Sequence, residues 1–209
     1  MSQILDLVFA TANPIKLRLA REAVAHLPVH ITGISTGIPE IQSTDPTEVA
    51  AEKAKKAFAL LGRPVIAEDS GLEIEELAGF PGALVKPILE QMKAEGFCRF
   101  ADLTQSRRCR TTNTIVYINA VGRLGTFTSS EEGWRITRTV TDRKGNATAL
   151  GELALVLIPK GFTVPLAQLN LEHLESMYSS WLAESCYTAF AQQVRAEIDA
   201  ASEKGWGVK

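Results

Sequence analysis

The chain has 209 residues, 45% hydrophobic and 22% charged, with a net charge of −2. These values suit a globular protein with a full core, as one large domain or one domain of two lobes spanning residues 1–209. The near-neutral balance gives no electrostatic case for a nucleic-acid polymer as partner, whereas a small anion needs only a few placed lysines. Cys98, Cys109 and Cys186 are odd in number and far apart, with no Cys-x-x-Cys pair. Neither a zinc site nor a disulfide framework is expected, and reduced thiols in a cytoplasmic protein are. Met1 to Ala10 lacks the basic start and long apolar stretch of a signal peptide, and no apolar run reaches the length of a membrane span.

In chain order, the apolar run Ile4 to Ala10 predicts a buried strand. Asn13 and Pro14 then suit the cap and first turn of a helix running to about Leu27, before Pro28. Val29 to Ile34 predicts a second strand, and Gly37 to Pro46 a loop. Asp45-Pro46-Thr47-Glu48 opens a helix that ends at Gly62. Val65 to Ala67 predicts a short strand ending in Glu68-Asp69-Ser70-Gly71. Alternating strands and helices argue for an α/β sheet. Pro81-Gly82 reads as a turn, and Val85 to Glu95 as a helix with Pro87 in its first turn. Thr111 to Ala120, Leu124 to Ser130, Trp134 to Thr141 and Leu153 to Ile158 predict strands, and Leu169 to Glu203 one or two helices.

Three segments carry candidate chemistry. Thr11-Ala12-Asn13-Pro14-Ile15-Lys16 lies between a strand and a helix, where unpaired N–H groups and the dipole attract anions and Lys16 can add an ammonium. An ordinary Asn cap with a solvated lysine accounts for the same residues. Glu68-Asp69-Ser70-Gly71 sits at a strand end, where ligands collect in open α/β sheets. Carboxylates there can hold Mg²⁺ or orient a water, although a solvated acidic turn has the same composition. In the third segment Glu40 follows Pro39 on a loop, and Glu48, Glu52 and Lys53 lie on the next helix. Lys55 and Lys56 read as a solvated face.

Taken together, these segments resemble the inosine triphosphate pyrophosphatase family, hydrolases of non-standard purine nucleotides. The resemblance rests on Thr11, Asn13 and Lys16; on Pro39-Glu40; on Glu48 to Lys53; on Glu68-Asp69-Ser70-Gly71-Leu72; on Leu77 to Gly82; and on Lys86-Pro87-Ile88-Leu89-Glu90. It runs to about residue 120. It implies an elongated, twisted mixed α/β sheet with flanking helices, two lobes and a central cleft. It also implies cleavage of a nucleoside triphosphate, such as ITP, dITP or XTP, to monophosphate and pyrophosphate. Glu40 and Asp69 would be catalytic and hold Mg²⁺. Thr11, Asn13, Lys16, Lys53, Glu68, Ser70 and Lys86 would contact substrate, and the protein would be a homodimer.

The second half departs from this pattern. The family's Phe-Gly-x-Asp-Pro aligns with Gly151-Glu152-Leu153-Ala154, and its Ser-His-Arg with Tyr178-Ser179-Ser180. The aromatic, aspartate, histidine and arginine that read a 6-keto purine are absent from those positions. His173 reads as a surface residue. Trp134, Tyr178 and Trp181 can be stacking surfaces, though packing against the core or a second subunit is the commoner use of aromatics. Inosine and xanthosine triphosphates are accordingly not expected to be strongly preferred over ATP or GTP. Two rivals stand beside this reading: a non-catalytic nucleotide-binding or regulatory protein, and a phosphohydrolase for another modified nucleotide.

Overall fold

The computed structural model describes residues 4–35, 37–141 and 148–203. Strand β1 (Leu5–Ala10), helix α1 (Pro14–Ala23), strand β2 (Val29–Ile34), helix α2 (Pro46–Leu61) and strand β3 (Val65–Ile74) form the first half. Next come strand β4 (Pro81–Gly82), helix α3 (Val85–Ala101) and strands β5 (Arg108–Ile118) and β6 (Leu124–Ile136). Strand β7 (Leu157–Ile158) and helices α4 (Leu171–Ala183) and α5 (Cys186–Glu203) complete the fold. One mixed sheet runs in the order β2-β1-β3-β5-β6-β7, with β4 paired to β3. β1 is parallel to β2 and β3, and the later pairings are antiparallel. The mixed α/β sheet with flanking helices is the fold the sequence predicts.

Both faces of the first strands are covered, which explains their unbroken apolar runs. On one face α2 lays Ala50, Ala54 and Ala57 against Val8, Val65, Ala67 and Val116. On the other, Leu7, Phe9, Ile66 and Ile115 meet Leu19 of α1 and Tyr187 and Phe190 of α5. A third cluster at the far end of the sheet joins Leu72 and Ile74 to Phe97, Trp134, Val156 and Leu174. β3 threads all three clusters. Its segment Glu68 to Gly71 lies at the handover between them, so polar residues occupy the gap between cores.

Several predicted elements are corrected. β3 does not end before Glu68. Glu68, Asp69 and Ser70 pair with Ile115, Thr114 and Asn113 of β5, so the carboxylates are held in mid-strand. Leu124 to Ile136 is one strand, because β6 follows β5 past Gly133 and a register shift between Cys109 and Thr111 absorbs the irregularity. Thr148–Leu155 is a 3-10 segment interrupted at Gly151, and only Leu157–Ile158 pairs with β6. Ala154 to Leu157 are buried one after another, and an apolar run of that length does not separate strand from helix. α1 stops at Ala23, four residues early, and closes in turns that lead to Pro28. α3 extends to Ala101 but breaks at Lys93, where the backbone N–H of Ala94 donates to Glu152 at 3.1 Å. The tail is two helices, separated at Ser185, whose Oγ accepts the N–H of Tyr187 at 3.2 Å.

Candidate active site

The loop after β1 is built by its own side chains. The backbone N–H of Asn13 donates to Thr11 Oγ1 at 3.0 Å. Asn13 Oδ1 then accepts from the N–H groups of Ile15 at 2.9 Å and Lys16 at 3.4 Å. The cap therefore consumes N–H groups that the sequence leaves open for an anion. What the helix end still offers is its dipole and the Lys16 ammonium.

Lys16 reaches across to β3 and forms an ion pair with Glu68, whose side chain is only 2% exposed. Burial pulls the Lys16 ammonium down, but Glu68, Asp69 and Glu40 outweigh it and hold its pKa above the usual lysine value. Lys53, on the inward face of α2, donates to Glu40 Oε1 at 2.5 Å. Burial pushes the Glu40 carboxyl up, while Lys53, Lys16 and Lys86 together bring it below its ordinary range. Asp69 lies between these pairs. Its Oδ2 is buried and accepts no hydrogen bond. Burial and the neighbouring Glu68 and Glu40 charges raise its pKa to about 7, against the pull of Lys16 and Lys53.

The opposite wall comes from the start of α3. Gly82, with φ +57, approaches so closely that a Cβ there would lie 2.0 Å from the carbonyl oxygen of Thr44, and the N–H of Ala83 donates to that oxygen at 2.9 Å. Only glycine fits this contact, which seats Val85 and Lys86 at the cleft rim. All nine predicted site residues, Thr11, Asn13, Lys16, Glu40, Lys53, Glu68, Asp69, Ser70 and Lys86, line one polar cavity of ≈ 700 Å³. Among the described residues no three acidic, histidine or cysteine side chains already close on one point as metal ligands.

A second, largely apolar cavity of ≈ 170 Å³ adjoins it, sharing Asn13, Lys16, Glu68, Ser70, Val85 and Leu153 as a common wall. Its volume is below the roughly 300–1,000 Å³ of a whole-ligand pocket, so it can accept one part of a larger ligand. Trp134, Tyr178, Trp181 and Tyr187 line it. Trp134 belongs to the core and to this cavity wall at once. Of the aligned base-reading positions, Gly151, Glu152 and Leu153 line the polar cavity. Ala154 is core, and Ser179 and Ser180 are exposed and line neither cavity. His173 is exposed against Phe162.

Sequence reasoning misses Glu131 and Tyr187 in the apolar cavity. The alternation of β6, in which Phe127, Ser129 and Glu131 share the inward side, could have found the first. Tyr187 carries no such local signal.

The Ham1 family model matches residues 7–148. The chain is 30% identical over 168 residues to the dITP/XTP pyrophosphatase of Methanopyrus kandleri, covering 80% of this chain and 86% of that one. It is 27% identical to the inosine triphosphate pyrophosphatase of Saccharomyces cerevisiae, over 61% of this chain and 69% of the relative. Among solved structures, a HAM1 protein from Coxiella burnetii superposes with a TM-score of 0.73 at 18% identity, covering 92% and 99% of the two chains.

Proposed function

The chain belongs to the Ham1 family, and from that premise we propose that it hydrolyses a nucleoside triphosphate to the monophosphate and pyrophosphate. The observation that carries this reading is the convergence of Lys16, Lys53 and Lys86 with Glu40, Glu68 and Asp69 on one cleft. The three lysines bind the phosphates, Thr11 and Asn13 shape the loop beneath them, and the base enters the adjoining apolar cavity. A bound phosphate competes with Glu40 for Lys53 and with Glu68 for Lys16.

Mg²⁺ belongs to this reading, with Glu40 and Asp69 as its protein ligands. A buried carboxylate oxygen without a donor, beside two further carboxylates, suits a hard divalent cation. When bound, the cation would neutralise charge that builds on the phosphate oxygens. Asp69 also orients the attacking water and accepts its proton. Glu68 keeps Lys16 charged and aimed into the cleft. Val85, Leu153 and the aromatic wall restrict water around the reacting phosphates.

In this reading the chain is one domain of two lobes that acts in the cytoplasm as a homodimer. Its three cysteines are free and buried, in keeping with a reducing compartment. Among the described residues no helix is long and apolar enough to cross a membrane. The test is pyrophosphate release, with Mg²⁺, from a panel of standard and altered nucleoside triphosphates. Metal-dependent release from at least one supports the proposal. Nucleotide binding without release from any would place the protein among non-catalytic nucleotide binders.

A further inference from the structure

The polar and apolar cavities meet at Glu68, and the fold sets a buried hydroxyl close to it that the phosphate chemistry does not use. Side chains alternate along β3, so Glu68 points to the same face as Ile66, the face that α1 and α5 cover. In register Glu68 stands opposite Ile115. Ile66 and Ile115 pack in one cluster with Tyr187 of α5. Tyr187 is 1% exposed, and its ring stands edge-on to Trp181 with centroids 5.8 Å apart. Both Glu68 and Tyr187 line the apolar cavity. The Tyr187 hydroxyl is buried and, among the described residues, has no hydrogen-bond partner. Burial raises its pKa well above the usual tyrosine value, and the Glu68 charge adds to that. The phenol therefore keeps its proton and can donate it to a hydrogen bond.

Buried hydroxyls are nearly always paired, so one left open near a buried carboxylate points to a second state in which the two meet. The hydroxyl is shielded from solvent, so a carboxylate in the same wall reaches it more readily than an entering ligand does. In the free protein Lys16 already neutralises Glu68. An anion in the polar cavity competes for that ammonium. As Lys16 turns toward the anion, Glu68 is left as a charge in a side chain only 2% exposed, which is strongly unfavourable without a donor. Building on the phosphate-binding reading above, we propose that Tyr187 is a positioning residue for this exchange: its hydroxyl donates to Glu68 as the triphosphate draws Lys16 off the carboxylate. Tyr187 touches no part of the substrate and acts through Glu68 and Lys16. The unpaired hydroxyl raises the energy of the free protein, and its pairing favours the bound one, so the exchange of ion pairs costs less than it would beside a phenylalanine.

The experiment places Tyr187→Phe in the full chain, alone and with Glu68→Gln or Lys16→Ala. It reads calorimetric Kd for inorganic triphosphate and thermal melts without ligand. Tyr187→Phe alone should bind triphosphate about tenfold more weakly or worse, the loss expected for a hydrogen bond to a charged group. Its ligand-free Tm should equal or exceed that of the unmodified chain, since the hydroxyl it removes is unpaired there. A merely structural tyrosine would lose Tm and leave Kd in place. With Glu68→Gln no charge is stranded, so adding Tyr187→Phe should change Kd by no more than about twofold. With Lys16→Ala the carboxylate is stranded without any ligand, so there Tyr187→Phe should lower Tm. An unchanged Kd in Tyr187→Phe overturns the assignment, and so does an equal loss beside Glu68→Gln. Where a double variant fails to fold, Kd and Tm of Tyr187→Phe alone decide. Triphosphate binding that weakens as expected, without pyrophosphate release from any nucleotide, would reject hydrolysis and keep Tyr187. Release with the same KM in Tyr187→Phe as in the unmodified chain would keep hydrolysis and reject Tyr187. No binding of inorganic triphosphate by the unmodified chain would overturn the phosphate site and this assignment with it.

Discussion

The two adjoining cavities solve opposite problems. The polar one holds two internal ion pairs, Lys16 with Glu68 and Lys53 with Glu40. On the proposed function a phosphate entering it would exchange one set of ion pairs for another, and the internal pairs hold the lysines in place without a ligand. The apolar one has little charge, and among the described residues the Tyr187 hydroxyl in its wall is buried without a hydrogen-bond partner. Charge that must be present before a ligand arrives is neutralised internally in the one, whereas the other presents mainly apolar and aromatic surface.

Asp69 is the exception inside the polar cavity, since among the described residues it alone there has a buried oxygen with no hydrogen-bond or ion-pair partner. The largest expected effect therefore follows its removal. Asp69→Asn should lower turnover by at least about a hundredfold, typical for a general base or electrostatic group, while the protein stays folded. Pyrophosphate release and a thermal melt check both halves. Turnover near that of the unmodified chain would remove Asp69 from the mechanism.

The two internal ion pairs differ in depth, and that difference can be sharpened by mutation. Lys16→Ala strands Glu68 as an unpaired carboxylate with a side chain 2% exposed. Breaking such a buried pair should cost about 3 kcal/mol of stability. Lys53→Ala frees a Glu40 side chain that is 49% exposed, and should cost under about 1 kcal/mol. Both variants should raise KM for the triphosphate. Urea titration separates them, and equal losses would mean that the Lys16–Glu68 pair is no more buried in effect than its neighbour.

The polar cavity was legible in the sequence because each of its parts is local. A strand, an Asn cap and a lysine occupy Thr11 to Lys16, and adjacent carboxylates occupy one strand, so chain neighbours are also neighbours in space. The apolar cavity draws on β3, β6, β7, α4 and α5 through single residues such as Leu72, Glu131, Leu157, Tyr178 and Tyr187. No spacing along the chain announces such a convergence. The same contrast explains the fold. Helix α2, bounded by the Asp45 cap and Gly62, is legible at both ends, whereas α1 is legible at its Asn13 cap but not at its end. The 3-10 segment before β7 was not, because tertiary burial at consecutive positions sets its form.

Aromatic substitutions should move the two cavities apart. Trp181→Ala or Tyr178→Ala removes apolar wall from the small cavity alone. Affinity for a nucleoside monophosphate should fall about tenfold, within the roughly 1–3 kcal/mol that aromatic contact to a base contributes. Affinity for inorganic triphosphate should hold. Parallel losses for both ligands would mean that one continuous cleft binds the nucleotide, without the division of labour drawn above.

The smallest expected effect is a pH dependence that needs no substrate. In metal-free protein the Asp69 carboxyl titrates at about 7, raised from 3.8 chiefly by burial. Between these values the folded chain holds a proton at Asp69 that the unfolded chain has lost. Stability from this group is therefore present at the acid side of the window and is lost as pH rises through about 7. From pH 6 to pH 8 the loss for one such group is about 1.4 kcal/mol, a few degrees in Tm for a chain of this length. Thermal melts in chelator should show that decline, and Asp69→Asn, which cannot ionise, should flatten it. Mg²⁺ should raise Tm most at the alkaline end, where Asp69 is ionised and its buried oxygen can hold the cation. A slope retained in Asp69→Asn would assign the titration to another group, and a Tm indifferent to Mg²⁺ at pH 8 would take the cation away from Asp69.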